Sequence, residues 1–100
     1  MGVKLAALAL LLVASIAVAA PRVVRGVVTH EGSVQPTSGA SVLSERGAIA
    51  VTDVDGFFSI QVDTRDRELT IVANGFITRT VRIVDGLLKI GLAQASGAEV

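Results

Sequence analysis

The stretch TDVDGFFSIQV, residues 52–62, joins a turn signal directly to a strand signal and decides the fold. Asp53 favours a tight turn because its side chain accepts hydrogen bonds from the backbone just ahead of it, and Gly56 supplies a positive φ. From Phe58 to Val62 every second residue is apolar, as in a strand with one buried face. The stretch therefore predicts a tight turn that leads into a half-buried strand.

Beyond the first 21 residues, the chain repeats this pattern of short runs rich in β-branched residues, without helical periodicity. Glycine-containing turns separate the runs, and Asn74-Gly75 and Asp85-Gly86 are typical of hairpin turns. In the run between these two turns, Ile77 and Val81 are expected to share the buried face. The predicted strands span residues 22–29, 40–44, 48–52, 57–62, 68–73, 76–84 and 87–92. Seven short strands of this kind predict an all-β sandwich.

Composition supports this fold class and excludes several functions. The 100 residues suffice for one domain, and 51% are hydrophobic although only three are aromatic, so Val, Ile, Leu and Ala must build the core. Nine basic residues balance nine acidic ones, which argues against nucleic-acid binding, since that needs a basic surface. The sequence has no cysteine, which excludes disulfides, thiolate zinc sites and a lipid-modified cysteine.

Residues 1–20 have the layout of a secretory signal peptide. Lys4 is the one charge in this segment, residues 5–14 are apolar, and Ala17-Val18-Ala19 fits the small-residue rule for cleavage. We therefore predict a signal peptide helix at 1–20 and, after its removal, a β-sandwich domain at 21–92. The apolar segment is short for an anchor that spans the membrane, so cleavage is the preferred interpretation.

Four short motifs resemble those of carboxypeptidase regulatory-like domains. TDVDGFFSI (52–60) resembles the turn-and-strand signature T-D-x-D-G-x-F-x-hydrophobic of this family, and VRGVVT (24–29) resembles its opening strand. GASV (39–42) is similar to the start of its second strand. LTIVANGF (69–76) is similar to a later segment of the family that ends in glycine and an aromatic residue. The connector at 31–38 is longer and less regular than in the family. The resemblance implies a seven-stranded, prealbumin-like (Ig-like) β-sandwich without catalytic residues.

The same resemblance implies a cellular role. Such domains follow the signal peptide of many TonB-dependent outer-membrane receptors, and the layout here resembles theirs, with residues 93–100 as a linker or tail before a plug. We therefore expect a non-catalytic periplasmic module that contacts other envelope proteins or the rest of a larger receptor chain. On this interpretation the membrane is reached only through a C-terminal part beyond Val100. Alternatives are a free-standing secreted domain that binds carbohydrate or protein, and an appended domain of a carboxypeptidase.

The polar residues that suggest a site have structural interpretations. Asp53 and Asp55 begin like a calcium loop, but the bidentate glutamate of such a loop is missing, so we expect a turn and leave only a weak calcium site open. His30, the one histidine, is expected to be an exposed turn residue. A metal site would need further ligands, and a hydrolase of 5-hydroxyisourate would need several convergent His and Arg residues. No G-x-S-x-G context supports a Ser-His-Asp triad. We predict no catalytic residue, no metal ligand and no cofactor.

Three further features concern charge and exposure. The run Asp63-Thr64-Arg65-Asp66-Arg67 is expected to form a solvated loop tip, because opposite charges in a short loop usually pair weakly in water. An enzymatic function would require this loop to be catalytic. Arg79 has two interpretations, protection of a strand edge or a contact in an interface. Phe57 is expected to be exposed beside the turn, as a candidate contact point for a partner.

Overall fold

Seven strands make up the architecture in a computed structural model that describes residues 22–95. The strands are β1 (Arg22–His30), β2 (Ser41–Ser44), β3 (Ile49–Val51), β4 (Phe57–Val62), β5 (Glu68–Val72), β6 (Arg79–Arg82) and β7 (Leu88–Leu92). The predicted signal peptide at 1–20 and residues 96–100 of the predicted linker lie outside the described residues. Within the described part, no helix is long and apolar enough to cross a membrane.

The strands form two sheets that pack face to face as a β-sandwich. One sheet has three strands in the order β4-β1-β7, and the other has four in the order β3-β2-β5-β6. All pairs are antiparallel except β1 with β7, which run parallel from Gly26 beside Leu88 to His30 beside Leu92. The predicted all-β sandwich of seven strands is confirmed.

The strand that follows the turn at residue 56 has the predicted bounds and the predicted alternation. Phe58, Ile60 and Val62 are buried, and the residues between them are exposed. Their side chains join a core to which both sheets contribute Val24, Val28, Ala40, Val42, Leu69, Ile71, Leu88, Ile90 and Leu92. Phe58 lies over Gly26 of β1, where a Cβ atom would stand 2.5 Å from the ring. The glycine in the opening strand therefore makes room for the aromatic ring.

The turn at 53–56 is fixed by a close approach of two backbone segments. Gly56 has a φ of 81°, and its carbonyl accepts a hydrogen bond from the Val28 N–H at 2.8 Å. A Cβ atom at this position would lie well under 3.0 Å from the Val28 carbonyl oxygen and 3.2 Å from Pro36 Cβ. Glycine is the residue that fits both this conformation and this contact, so the turn signal and the sandwich depend on each other.

Two predictions about the last strands are wrong. The predicted strand 76–84 is reduced to β6, because the chain at 76–77 pairs instead with residues 93–95. Ile77 is therefore 57% exposed rather than buried. Asp85-Gly86 is not a hairpin turn, since β6 belongs to the four-stranded sheet and β7 to the three-stranded sheet. This turn carries the chain from one sheet to the other.

The described chain enters and leaves the sandwich at opposite ends. Arg22 begins β1 beside Val62, and Leu92 ends β7 beside His30 at the far end of β1. Because β1 and β7 run parallel, the two points are separated by about 26 Å, the length of eight residue steps of a strand. Segments before Arg22 and after β7 thus attach at opposite ends of the domain.

Candidate functional site

The turn at Asp53 is held by the aspartate itself. Its Oδ1 atom accepts hydrogen bonds from the backbone N–H groups of Asp55 and Phe57, both at 2.9 Å, and its carbonyl accepts one from the Gly56 N–H at 2.9 Å. The predicted turn is confirmed, and a carboxylate oxygen that a weak calcium site would use is engaged by two backbone donors. Within residues 22–95, no three His, Cys, Asp or Glu side chains are grouped as metal ligands would be.

The charged loop between β4 and β5 contains one exposed ion pair. The Nε and Nη2 atoms of Arg65 donate to the two carboxylate oxygens of Asp63, at 3.0 and 3.2 Å, and the Arg65 backbone N–H donates to the same carboxylate. The hydrogen bonds from the Arg65 guanidinium have the largest effect on Asp63, followed by the one from the Arg65 backbone, and together they lower the pKa of Asp63 to about 2. The Asp63 carboxylate in turn raises the pKa of Arg65. Both side chains are partly exposed, as predicted for a loop tip.

Asp66 departs from the predicted loop tip because it is buried, with only 1% of its surface exposed. Its Oδ2 atom accepts the backbone N–H of Asp63 at 2.9 Å, and its own N–H donates to the Asp63 carbonyl at 3.0 Å. In the described part its Oδ1 atom has no hydrogen-bond partner and lies 3.9 Å from Arg46 Nε. The Arg22 guanidinium donates to the Asp66 carbonyl at 3.3 Å. Asp66 closes the loop on itself, so the prediction of a fully solvated tip is wrong at this residue.

A carboxylate outside this loop also supports the fold. Glu45, in the turn between β2 and β3, accepts the backbone N–H groups of Arg67 and Glu68 through its Oε1 atom. These backbone donors are the main cause that lowers the pKa of Glu45. Sequence reasoning missed the contact because 22 residues separate Glu45 from Arg67, and only the pairing of β2 with β5 brings them together.

His30 is half-buried at the end of β1, so the prediction of an exposed turn residue is wrong. Its ring packs edge to face against Phe76, with ring centroids 4.9 Å apart and planes inclined at 75°. Phe76 also pairs with Gln94, which follows the end of β7. The imidazole therefore packs against the segment between β5 and β6, at the point where this segment pairs with the chain after β7.

Arg79 closes the open side between the two sheets. Its Nη1 atom donates to the Gly91 carbonyl at 2.6 Å, and this carbonyl lies on the edge strand β7. The hydrogen bond from the Ile77 N–H to the Ala93 carbonyl, at 2.8 Å, extends the same closure. Of the two interpretations of Arg79, protection of a strand edge agrees with the structure, since its guanidinium binds a carbonyl of its own chain.

A further exposed feature is the outer face of the three-stranded sheet. It is defined here by Val23, Arg25, Val27, Phe57, Ser59, Gln61, Leu87 and Lys89. The register places Val27 between Phe57 on β4 and Lys89 on β7, and it places Arg25 beside Ser59. Apolar and cationic side chains therefore lie next to each other on this face.

A groove of about 500 Å³ opens beside β4 on this outer face. Phe57 (47% exposed), Leu87 (49%) and Val51 (59%) supply its apolar walls, and Arg25 and Asp53 are its charged groups. The prediction that Phe57 is exposed beside the turn is confirmed. Sequence reasoning missed Val51 and Leu87, because they reach the groove from the edge strand β3 and from the segment that links the two sheets.

Comparison with known proteins gives a fold and no family. No family model matches the chain, and no curated protein matches it. The chain is similar to a chain in the crystal structure of a C-terminal interface mutant of a type II cohesin–X-dockerin complex from Acetivibrio cellulolyticus, with a TM-score of 0.52 and 20% sequence identity. The match covers 71% of this chain and 51% of that one, so this chain spans about half the length of the solved chain. At this identity the likeness concerns the fold alone, which is that of a β-sandwich.

Proposed function

We propose that this chain is a non-catalytic protein-binding module of the bacterial envelope and forms the N-terminal periplasmic extension of a TonB-dependent outer-membrane receptor. The observation that carries the binding function is the groove on the outer face. There Phe57 and Leu87, each about half exposed, lie beside the cation of Arg25. Apolar side chains gathered in one groove support a binding function, because water contact with them costs free energy that a partner would recover.

Four charged side chains have roles in holding the fold together. Asp53, Glu45 and Asp66 each accept backbone N–H groups, so their carboxylates hold turns in place. The guanidinium of Arg79 is likewise bound to a backbone carbonyl. A general acid, base or nucleophile must instead face a cleft where it reaches a substrate.

Three observations support placement at the front of a larger receptor. Residues 1–20 have the layout of an export signal, and the motifs from 24–29 to 69–76 resemble those of the domains found in such receptors. The segments before β1 and after β7 also attach at opposite ends of the domain, as expected for a module that lies between two other parts of a longer chain. The solved chain of similar fold is part of a complex between proteins, in agreement with an interaction role.

The test is the reading frame beyond Val100. We expect a plug followed by a long series of amphipathic strands. A stop codon directly after Val100 would contradict placement in a receptor and would favour the alternative, a free-standing secreted domain that binds protein or carbohydrate.

The binding function itself is tested separately. The exported chain, carrying an affinity tag, is incubated with envelope extract, and captured proteins are identified and then re-tested as purified components. Saturable binding of a purified envelope protein is expected, and its absence for every captured candidate would contradict the binding function.

A further inference from the structure

We propose that this domain bears tension between a partner bound to it and the chain that follows β7, and that β7 is the strand that carries the load. Tension on the following chain pulls Leu92, the last residue of β7, along the direction of the strand. This inference rests on the proposed function, which places a partner on the domain and a longer chain after it.

The first argument is the direction in which β7 is loaded. β7 runs parallel to β1 over five residue pairs, from Gly26 beside Leu88 to His30 beside Leu92. Because the chain leaves the sheet at Leu92, a pull on the following segment slides β7 lengthwise past β1. The hydrogen bonds of the ladder run from strand to strand, so they resist this movement together, whereas a pull from the side opens them one after another.

The second argument is that the strand beside β7 is itself held on both sides. β1 is the central strand of its sheet, and six residue pairs join it to β4. The side chains of Val24 and Val28 on β1 lie in the core that both sheets share. A load that passes from β7 to β1 is therefore distributed to a third strand and to the core of the sandwich.

The third argument concerns the residues that follow β7. The Ala93 carbonyl accepts the Ile77 N–H, and the Ala95 N–H donates to the Gly75 carbonyl, both at 2.8 Å. Residues 75–77 lie between β5 and β6, two strands of the other sheet. A pull on the following chain therefore meets contacts with the other sheet before it reaches β7.

The edge strands of the two sheets differ in how they are held. β3, an edge strand of the four-stranded sheet, has three residue pairs with its neighbour β2. β7 has five pairs with β1, and on its other edge the Arg79 guanidinium donates to the Gly91 carbonyl at 2.6 Å. The side chains of Leu88, Ile90 and Leu92 on β7 are buried. The stronger attachment belongs to the strand through which the chain leaves the domain.

The test measures the unfolding force of single molecules in two directions. The chain, exported by its own N-terminal segment, has no cysteine, so pairs of introduced cysteines decide where the optical-tweezer handles attach. Ala95→Cys supplies the handle after β7 in both pairs. Gln61→Cys, opposite Val23 near the end of β4, completes the pair that loads β7 lengthwise. Val54→Cys, in the exposed turn before β4, completes the pair that loads β7 from the side. We expect the lengthwise force to be at least about twofold larger at the same loading rate, because the ladder must break as a unit.

Two proline variants of β1 separate the ladder from the stability of the fold. Parallel strands bond through alternate residues, so the Glu31 N–H, which donates to the Leu92 carbonyl at 2.9 Å, places the Thr29 N–H on the same side, facing β7. Thr29→Pro should lower the ratio of lengthwise to sideways force by at least about a third, because it removes a donor within the ladder. Val23 precedes Gly26, the first residue of β1 that pairs with β7, so Val23→Pro should leave the ratio unchanged.

Equal forces in the two directions, or a larger sideways force, would overturn the inference. Equal effects of the two proline variants on the ratio would also overturn it, since the resistance would then reflect the whole fold and not the ladder. If Thr29→Pro does not fold, the two directions in the chain without a proline substitution decide alone. Equal forces would leave the proposed binding function standing, whereas a failure to capture any envelope protein would contradict the binding function in a separate assay.

Discussion

Replacing Gly56 with alanine is expected to destabilise the domain much more than the same change at Gly75. Both glycines have a φ of 81°, so both variants force alanine into the left-handed region, at a cost of about 1–2 kcal/mol. A Cβ atom at Gly75 has nothing within 4 Å, whereas at Gly56 it would overlap the Val28 carbonyl oxygen. That carbonyl belongs to the central strand β1, so the clash cannot be relieved by rotating a side chain.

The added cost at Gly56 has two sources. Overpacking typically costs about 1–3 kcal/mol. Displacing the hydrogen bond from the Val28 N–H to the Gly56 carbonyl, 2.8 Å long, adds about 1 kcal/mol. The two variants should therefore differ by about 2–4 kcal/mol. A domain of this size has roughly 4–11 kcal/mol in total, so Gly56→Ala should lose a large part of its stability.

The assay is urea unfolding followed by far-UV circular dichroism, because the chain has no Trp or Tyr for fluorescence. With a slope of about 1 kcal/mol per molar urea, the midpoints of the two variants should differ by at least about 2 M. A Gly56→Ala protein that does not fold where Gly75→Ala does would agree with the prediction. Equal midpoints would refute the steric argument, since they would mean that conformation alone explains both effects.

Three further changes test the ends of the sandwich. Asp66→Ala should lower the free energy of unfolding by about 1–3 kcal/mol, because the Asp63 N–H loses its acceptor, and a loss below about 0.5 kcal/mol in urea unfolding would contradict this. The pKa of Asp63 is lowered from 3.8 to about 2 in the folded protein, so its contribution to stability is present above pH 4 and is lost as the pH falls towards 2. Asp63→Asn should therefore reduce the fall in the midpoint temperature of thermal unfolding between pH 4 and pH 2. An unchanged fall would contradict the ion pair with Arg65. Arg79→Ala exposes the Gly91 carbonyl on the edge of β7 and should promote self-association in sedimentation velocity, whereas a monomer at equal concentration would count against edge protection.

Local chemistry explains which strands the sequence predicts well. The strand at 57–62 follows a turn whose donors and acceptors lie within five residues, and both its bounds and its alternation are confirmed. The Asn74-Gly75 turn likewise joins two antiparallel partners, β5 and β6. Asp85-Gly86 has similar turn chemistry, but the strand after it pairs with β1 instead of β6. Turn residues predict that the chain reverses, and they do not predict which sheet receives the next strand.

The candidate site depends even more on long-range contacts. Asp63 and Asp66 are equivalent as charges in the sequence, yet one is paired at the surface and the other is buried by the closure of its loop. Phe57 is predictable as an exposed aromatic residue because it lies out of phase with the buried positions of its strand. Its groove neighbours Val51 and Leu87 are not predictable, since the strand order of both sheets determines where they lie.

The distribution of charge follows from what each side chain offers the backbone. At the ends of strands, backbone N–H groups lose their partners in the sheet, and carboxylates such as those of Asp53, Glu45 and Asp66 satisfy them. Arginine and lysine only donate hydrogen bonds, so Arg25 and Lys89 on a sheet face have no backbone task of this kind. Carboxylates are thus drawn into the turns, while cations stay available on the outer face. A chain of zero net charge can therefore hold carboxylates in its turns, with that of Asp53 beside the groove, and place the cations Arg25 and Lys89 among apolar side chains on one sheet face.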